Sequence, residues 1–219
     1  MLTKGIVLSP RRYRTSVQPP AVLEDESRFG NNGAFVNTPT WTQLPSGLWY
    51  LTFVLADSDE VNCGNNVSLD SLTYTLMGWL NSPDISVADD IFYKAAPPRY
   101  LRMGTAASKF IIVADSALGQ TFRYSSVYLS NTWYFVTGTY DPSVVSAPNI
   151  YINGILDNGV SVGLQTTVGS VINTGNLVFG HDNGGNMNFR LALPRVYNYI
   201  LTPAKIYSIF QAERRFFNV

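Results

Sequence analysis

Cysteine and histidine are almost missing from this 219-residue chain: it has one of each, Cys63 and His181. A lone cysteine excludes an internal disulfide, and Cys63 is expected to be a small buried hydrophobe. With a single histidine, zinc or acid–base chemistry that needs an imidazole would have to pass through His181. Charge is scarce too, at 14%, and balanced, with 15 Lys and Arg against 15 Asp and Glu. Nucleic-acid binding draws on a surplus of cations that displaces counterions, and this balance supplies none. Arginines do gather in two places, Arg11, Arg12 and Arg14 near one end and Arg214 with Arg215 near the other. They read as solvated ends, the alternative being a charged contact to a partner. Long apolar runs are absent as well. "FIIVA", from Phe110 to Ala114, falls far below the ~18 residues of a spanning helix. The first residues offer only "GIVL" where a signal peptide has a run of ~7 or more. The expectation is a protein with neither membrane span nor secretory leader.

What the chain does contain is β punctuation. Gly (17) and Pro (12) recur, and "FGNNGAF", "LPSGLW", "DPS" and "DNGGN" read as turns. Between them lie "LTYTLMGWL", "KFIIVAD", "TFRYSSVYL", "TWYFVTGTY", "NIYING", "NLVFG" and "NFRLALPRVYNY". These are short, mostly alternating, and rich in aromatic and β-branched residues, so each is expected to give one face to a core and the other to water. Seven or more such strands favour a two-sheet antiparallel sandwich or jelly roll. No linker or fixed-period repeat divides the sequence, which predicts one domain over 1–219. One helix is expected near the end, with Thr202 as N-cap, Pro203 in the first turn and Ile206, Ile209 and Phe210 as its apolar stripe.

The ordered set Trp133-Tyr134-Phe135-Val136, Thr139-Tyr140-Asp141, Tyr151-Ile152-Asn153-Gly154, Val178-Phe179-Gly180, Arg195-Val196-Tyr197-Asn198 and Leu201-Thr202 resembles the laminin-G-like, concanavalin-A-like jelly rolls. Asp25 with "SRFGNNGAF" is similar to that family's opening D-x-S-x-x-x-N-x-G turn, and Trp79 to its Trp-bearing strand. The resemblance runs from Asp25 to Phe210. It implies an all-β jelly roll with a short C-terminal helix, in which Trp133 opens a central strand with its indole in the core. An Asn153-Gly154 hairpin turn fits, because both residues tolerate positive φ. Many members carry an acidic pair where this chain has Ala192 and Leu193, so the implied calcium site lacks its acids and no metal or other cofactor is expected. Asp57, Asp59 and Glu60 form the remaining acidic group and read as a solvated β-turn, with Val61 and Cys63 where more oxygens would be needed.

Catalysis finds little support. The laminarinase-like hydrolases of this fold carry acids at alternate positions of one strand. Here glutamate is confined to Glu24, Glu26, Glu60 and Glu213, with no E-x-D-x-E strand. "GVSVG" around Ser161 fits G-x-S-x-G, but the "LQTTVGSVINTG" that follows is no convincing helix for a nucleophile elbow. Binding is the better expectation, through Trp41 as a sugar-stacking ring or through the loop residues His181, Asp182, Asn183 and Asn186. For Trp41 and Trp49, core filling or loop pinning is the first reading and sugar stacking the second; for His181, a polar loop residue capping a turn comes before a ligand contact. "LALPRVYNY" and "LPSGLW" also look like laminin-G-like proteins encoded among tailed-phage structural genes. The reading is a non-catalytic particle subunit, structural or decorating, on a virion or extracellular after lysis. Its partners would be virion or other protein subunits, or a cell-surface glycan, with self-association open. A free-standing lectin-like module is the alternative, and a hydrolase or lyase comes last.

Overall fold

In the computed structural model, residues 5–97, 99–116, 119–143, 148–159, 161–162, 170–181 and 188–219 are described. Two antiparallel sheets make a jelly-roll sandwich. The eight-stranded sheet runs β14 (Ile155–Leu156), β13 (Asn149–Ile152), β12 (Tyr134–Tyr140), β7 (Tyr74–Asn81), β17 (Phe189–Tyr197), β5 (Trp49–Phe53) and β4 (Thr40–Gln43), with β1 (Ile6–Leu8) also paired to β17. The nine-stranded sheet runs β15 (Ser161–Val162), β11 (Gly119–Val127), β10 (Lys109–Ser116), β9 (Arg99–Ala106), β8 (Asp89–Ala96), β16 (Leu177–His181), β6 (Glu60–Asn62), β3 (Gly33–Val36) and β2 (Val22–Leu23). Helix α1 (Pro203–Glu213) follows β17.

Alternation along β7 shows how the layers are built. Leu76 and Leu80 join the core between the sheets, with Phe92, Met103, Phe110, Ile112, Val136 and Leu191. Met77 and Trp79 point the other way, into a second apolar cluster with Phe135, Ile206, Phe210, Phe216 and Phe217. Every residue of β7 is therefore buried. The expectation of one wet face fails for this strand because α1 and the turn after it roof the sheet. Thr202 caps α1 by accepting from the Lys205 backbone N–H, and Ile206 and Phe210 are its buried stripe. Asn153 (φ 51°) and Gly154 (φ 79°) form the expected hairpin turn between β13 and β14.

A single carboxylate ties the roof down. Glu213, 2% exposed, accepts from Trp79 Nε1 at 3.0 Å, from Arg12 Nη2 at 2.8 Å and from both terminal nitrogens of Arg195. The arginine-rich ends are thus not simply solvated, since Arg12 and Arg215 both lie against Phe216. Asp25 staples the opening loop in the same manner, accepting from the backbone N–H groups of Ser9, Ser27 and Asn31 and from the Ser27 hydroxyl. This accounts for the D-x-S-x-x-x-N spacing. Cys63 is a buried free thiol, and burial pushes its pKa up.

Trp133 departs from expectation. The strand starts at Tyr134, and the indole is half-buried at the margin of the roof, 5.2 Å from the ring of Tyr50 and 5.0 Å from that of Phe217. Trp79 is the fully enclosed indole, stacked 4.0 Å from Phe217. Trp79→Ala should therefore cost ~3–5 kcal/mol through an unfilled cavity, and Trp133→Ala clearly less, about 1–2 kcal/mol. Urea denaturation checks the order; equal losses would contradict the half-buried placement of Trp133.

Candidate functional site

Among the described residues no helix lies over the outer side of the nine-stranded sheet, and there the alternating residues gather functional chemistry. Phe92, Leu101, Met103, Phe110 and Ile112 face the core. Their neighbours face outward in register: Tyr93 opposite Arg102, Arg102 opposite Val113, and Val113 opposite Phe122. A second row runs Tyr100, Asp115, Gln120, and Ile111 stands opposite Tyr124. The four rings, Tyr93, Tyr100, Phe122 and Tyr124, are half-buried. That is unusual company for the outer side of a sheet, where polar side chains normally suffice.

Polar groups are fixed among these rings. Arg102 Nη1 donates to both carboxylate oxygens of Asp90 at 3.1 Å, and its guanidinium lies 5.9 Å from the Tyr100 ring centroid. Gln120 Nε2 donates to Tyr100 Oη at 3.3 Å and to Asp115 Oδ2 at 3.2 Å. The Tyr100 phenol is held above its ordinary pKa by its hydrogen bond to Asp115, then by burial. Phe122 and Tyr124 meet edge to face at 5.7 Å, and the Lys109 ammonium sits 5.7 Å from the Tyr124 ring. The result is a platform of half-buried rings with hydrogen-bond donors and acceptors placed among them.

At the end of this platform the chain does something costly. Asp89, 3% exposed, stands at the start of β8, and its Oδ1 has no hydrogen-bond partner. Its backbone is pressed against Gly104, where an added Cβ would lie 1.7 Å from the Asp89 carbonyl oxygen. Burial, then the charges of Asp90 and Asp84, push the Asp89 carboxyl up to about 7. Two residues after Asp89, the extra residue Ile91 forms a bulge in β8 between Asp90 and Phe92.

Of the loop residues expected from sequence, only the backbone of His181 is described. His181 is the last residue of β16, its backbone in register with Asp90. Asp182, Asn183 and Asn186 lie outside the described residues. Trp41 is elsewhere, on edge strand β4 of the other sheet. Its indole N–H donates to the Pro20 carbonyl at 2.8 Å, and its ring lies between Tyr13 at 5.5 Å and Phe35 at 6.0 Å. These contacts pin the N-terminal segment, as Trp49 also does by donating to the Thr15 carbonyl.

The other candidates resolve into structure. Asp59 is buried rather than solvated: its carboxylate accepts from Thr38 N, Thr38 Oγ1 and Val54 N. Ala192 and Leu193 are packed in the roof cluster at a bulge in β17. Ser161 lies in β15, paired through Arg123 to β11, and the residues after Val162 that an elbow would need lie outside the described ones. Among the described residues no group of three or more His, Cys, Asp and Glu could hold a metal ion.

Residues 55–207 match the concanavalin A-like lectin/glucanases superfamily, well over half of the chain. The chain belongs to that superfamily. No curated protein matches it. Among solved structures, it is similar to the binding domain of Paraclostridial Mosquitocidal Protein 1, with 14% identity and a TM-score of 0.73 over 94% of this chain and 52% of that one. The botulinum neurotoxin serotype G binding domain gives 14% identity and a TM-score of 0.70 over 95% and 51%. The binding domain of botulinum neurotoxin DC, solved in complex with rat synaptotagmin II, gives 16% and 0.64 over 94% and 51%. The chain thus spans about half the length of these structures. At such identities the likeness concerns the lectin/glucanase fold alone.

Sequence patterning missed Tyr93, Tyr100 and Arg102 because β8 and β9 were not recognised as strands. Their signal lies in "DDIFYK" and "RYLRM", whose alternation is obscured by the bulge and by "AAPP" between them.

Two outcomes follow. A carboxyl whose folded pKa lies above its unfolded value stabilises the fold only while protonated. The contribution of Asp89 should be full below about pH 4 and lost as pH rises through about 7, by up to roughly 4 kcal/mol. Asp89→Asn should therefore raise stability at pH 8 and leave it nearly unchanged at pH 4, as measured by urea midpoints. Calcium against chelator should leave the melting temperature unmoved, because a site filled at a hundredfold excess would add ~2.7 kcal/mol.

Proposed function

We propose that this protein is a non-catalytic recognition module that binds a glycan on the outer face of its nine-stranded sheet. The observation that carries the reading is the platform itself: Tyr93, Tyr100, Phe122 and Tyr124 interleaved with the Asp90–Arg102 and Asp115–Gln120 groups. Rings present flat apolar faces to the C–H side of a sugar, while fixed carboxylate, amide and guanidinium groups select hydroxyl positions. Held on strands rather than loops, these groups lose little freedom on binding. His181, which ends β16 in register with Asp90, together with Asp182, Asn183 and Asn186 as read from the sequence, would add specificity; Trp41, on the other sheet, would be a separate contact.

Geometry on the platform argues against hydrolysis. Asp90 and Asp115 lie on strands separated by β9 and are offset along them, so their backbones are about 16 Å apart at ordinary strand spacing and rise. Glycoside hydrolases hold their two carboxyls within roughly 5–9.5 Å. The neurotoxin neighbours support binding by analogy: one was solved with synaptotagmin II, and botulinum neurotoxin type C depends on interaction with two ganglioside molecules to enter cells.

We assign the module to a phage particle, as a decorating or structural subunit that meets cell-surface glycan on the virion or after lysis. Support for this comes from "LALPRVYNY" and "LPSGLW", which resemble phage-encoded relatives. Capsid or tail genes beside its own gene would agree with it, and a gene neighbourhood without any would overturn it.

Glycan-array screening followed by calorimetry tests the binding site. Tyr100→Ala with Tyr124→Ala should weaken the best ligand at least tenfold, equivalent to about 1.4 kcal/mol, without lowering the melting temperature by more than a few degrees. Unchanged affinity would remove the platform from consideration. Reducing ends released from the bound glycan would contradict the non-catalytic reading.

A further inference from the structure

The arginines at the two ends of the sequence converge on one ring. Arg12, Arg14 and Arg215 hold their guanidiniums 5.5, 4.7 and 5.0 Å from the centroid of Phe216. Phe216 itself is 4% exposed, so the three cations lie over a buried ring. Arg12 is engaged with Glu213, which it shares with Arg195. Arg14 and Arg215 are exposed, and neither pairs with a carboxylate among the described residues. Four guanidiniums against one carboxylate leave three formal positive charges on this patch. In a chain whose total charge is zero, that is a concentrated imbalance. Ring faces attract cations, but they do not cancel repulsion between them. An anion would.

We propose that Arg14 and Arg215, with Arg12 beside them, form a receptor for a sulfated glycan. Guanidinium forks match oxyanions through two parallel hydrogen bonds and give up their hydration more readily than ammonium groups do. The patch is compact, a few side chains around one ring, which fits a short sulfate-bearing segment. It does not fit a nucleic acid, whose backbone draws on a long track of cations. Phe217, the next residue, leads to the half-buried indole of Trp133 and the ring of Tyr50, an apolar edge on which a sugar ring can rest. Membrane docking finds less here. Val17 is the exposed large hydrophobe of this N-terminal stretch, and one side chain is too little to anchor an interfacial segment. The patch is built on the roof over the eight-stranded sheet, on the opposite side of the sandwich from the aromatic platform. It can therefore fail or hold independently of the platform.

The test uses the full chain and a heparin-derived octasaccharide in calorimetry between 20 and 200 mM salt. Binding should weaken with salt with a slope corresponding to about two to three displaced counterions. R14Q/R215Q should lose at least tenfold in affinity, while R14K/R215K keeps most of the salt slope but loses severalfold, because lysine lacks the planar fork. K205Q, an exposed cation in the first turn of α1, should bind as the parent does. Arg12 is left intact because it holds Glu213, and unchanged melting temperatures confirm that the variants fold. No binding by the parent, or equal binding by R14Q/R215Q, would overturn the proposal. So would equal or tighter binding of a charge-matched single-stranded oligodeoxynucleotide or of phosphatidylserine vesicles.

Discussion

The carboxylate of Glu213 is the constraint on which the architecture turns. It is buried and accepts from Trp79 on the central strand, Arg195 on its neighbour and Arg12 from the N-terminal segment. A buried carboxylate left without such partners costs several kcal/mol, so the three donors and the acceptor hold one another in place. Around it Phe210, Phe216 and Phe217 close over Trp79. The roof is therefore a polar knot set inside an apolar lid, and the lid lets both faces of β7 be buried.

That asymmetry decides where function can sit. The eight-stranded sheet spends its outer side on stability, whereas among the described residues no helix roofs the outer side of the nine-stranded sheet. Half-buried tyrosines there are not needed to close a core, since Phe92, Met103 and Ile112 already do so from the inner face. The buried, poorly solvated Asp89 at one end of that sheet is a local cost that packing alone does not call for.

Much of the fold was legible in the sequence. Thr202-Pro203 marks the helix start, Asn153-Gly154 the hairpin and Asp25 the opening staple, because each encodes a local backbone requirement. Trp133 shows where that legibility stops: motif order identifies the strand, but burial of its first residue depends on Tyr50 and Phe217, which are distant in the chain. Asp59 departs from the solvated turn expected of it for a similar reason, since its donors come from Thr38 and Val54. The platform was hardest to see. Tyr100, Asp115 and Gln120 become neighbours only through strand register, and no short motif records it.

The bulge at Ile91 bears on how this chain is compared with its relatives. Asp90 and Tyr93 both share surroundings with Arg102, although they are three residues apart, because Ile91 and Phe92 both enter the core. One residue has been absorbed into the strand without turning the side chains beyond it to the other face. A relative lacking that residue would present the same outward pair two positions apart. An alignment without a gap there would match outward residues to inward ones for the rest of the strand, and the platform would look unrelated even where it is shared.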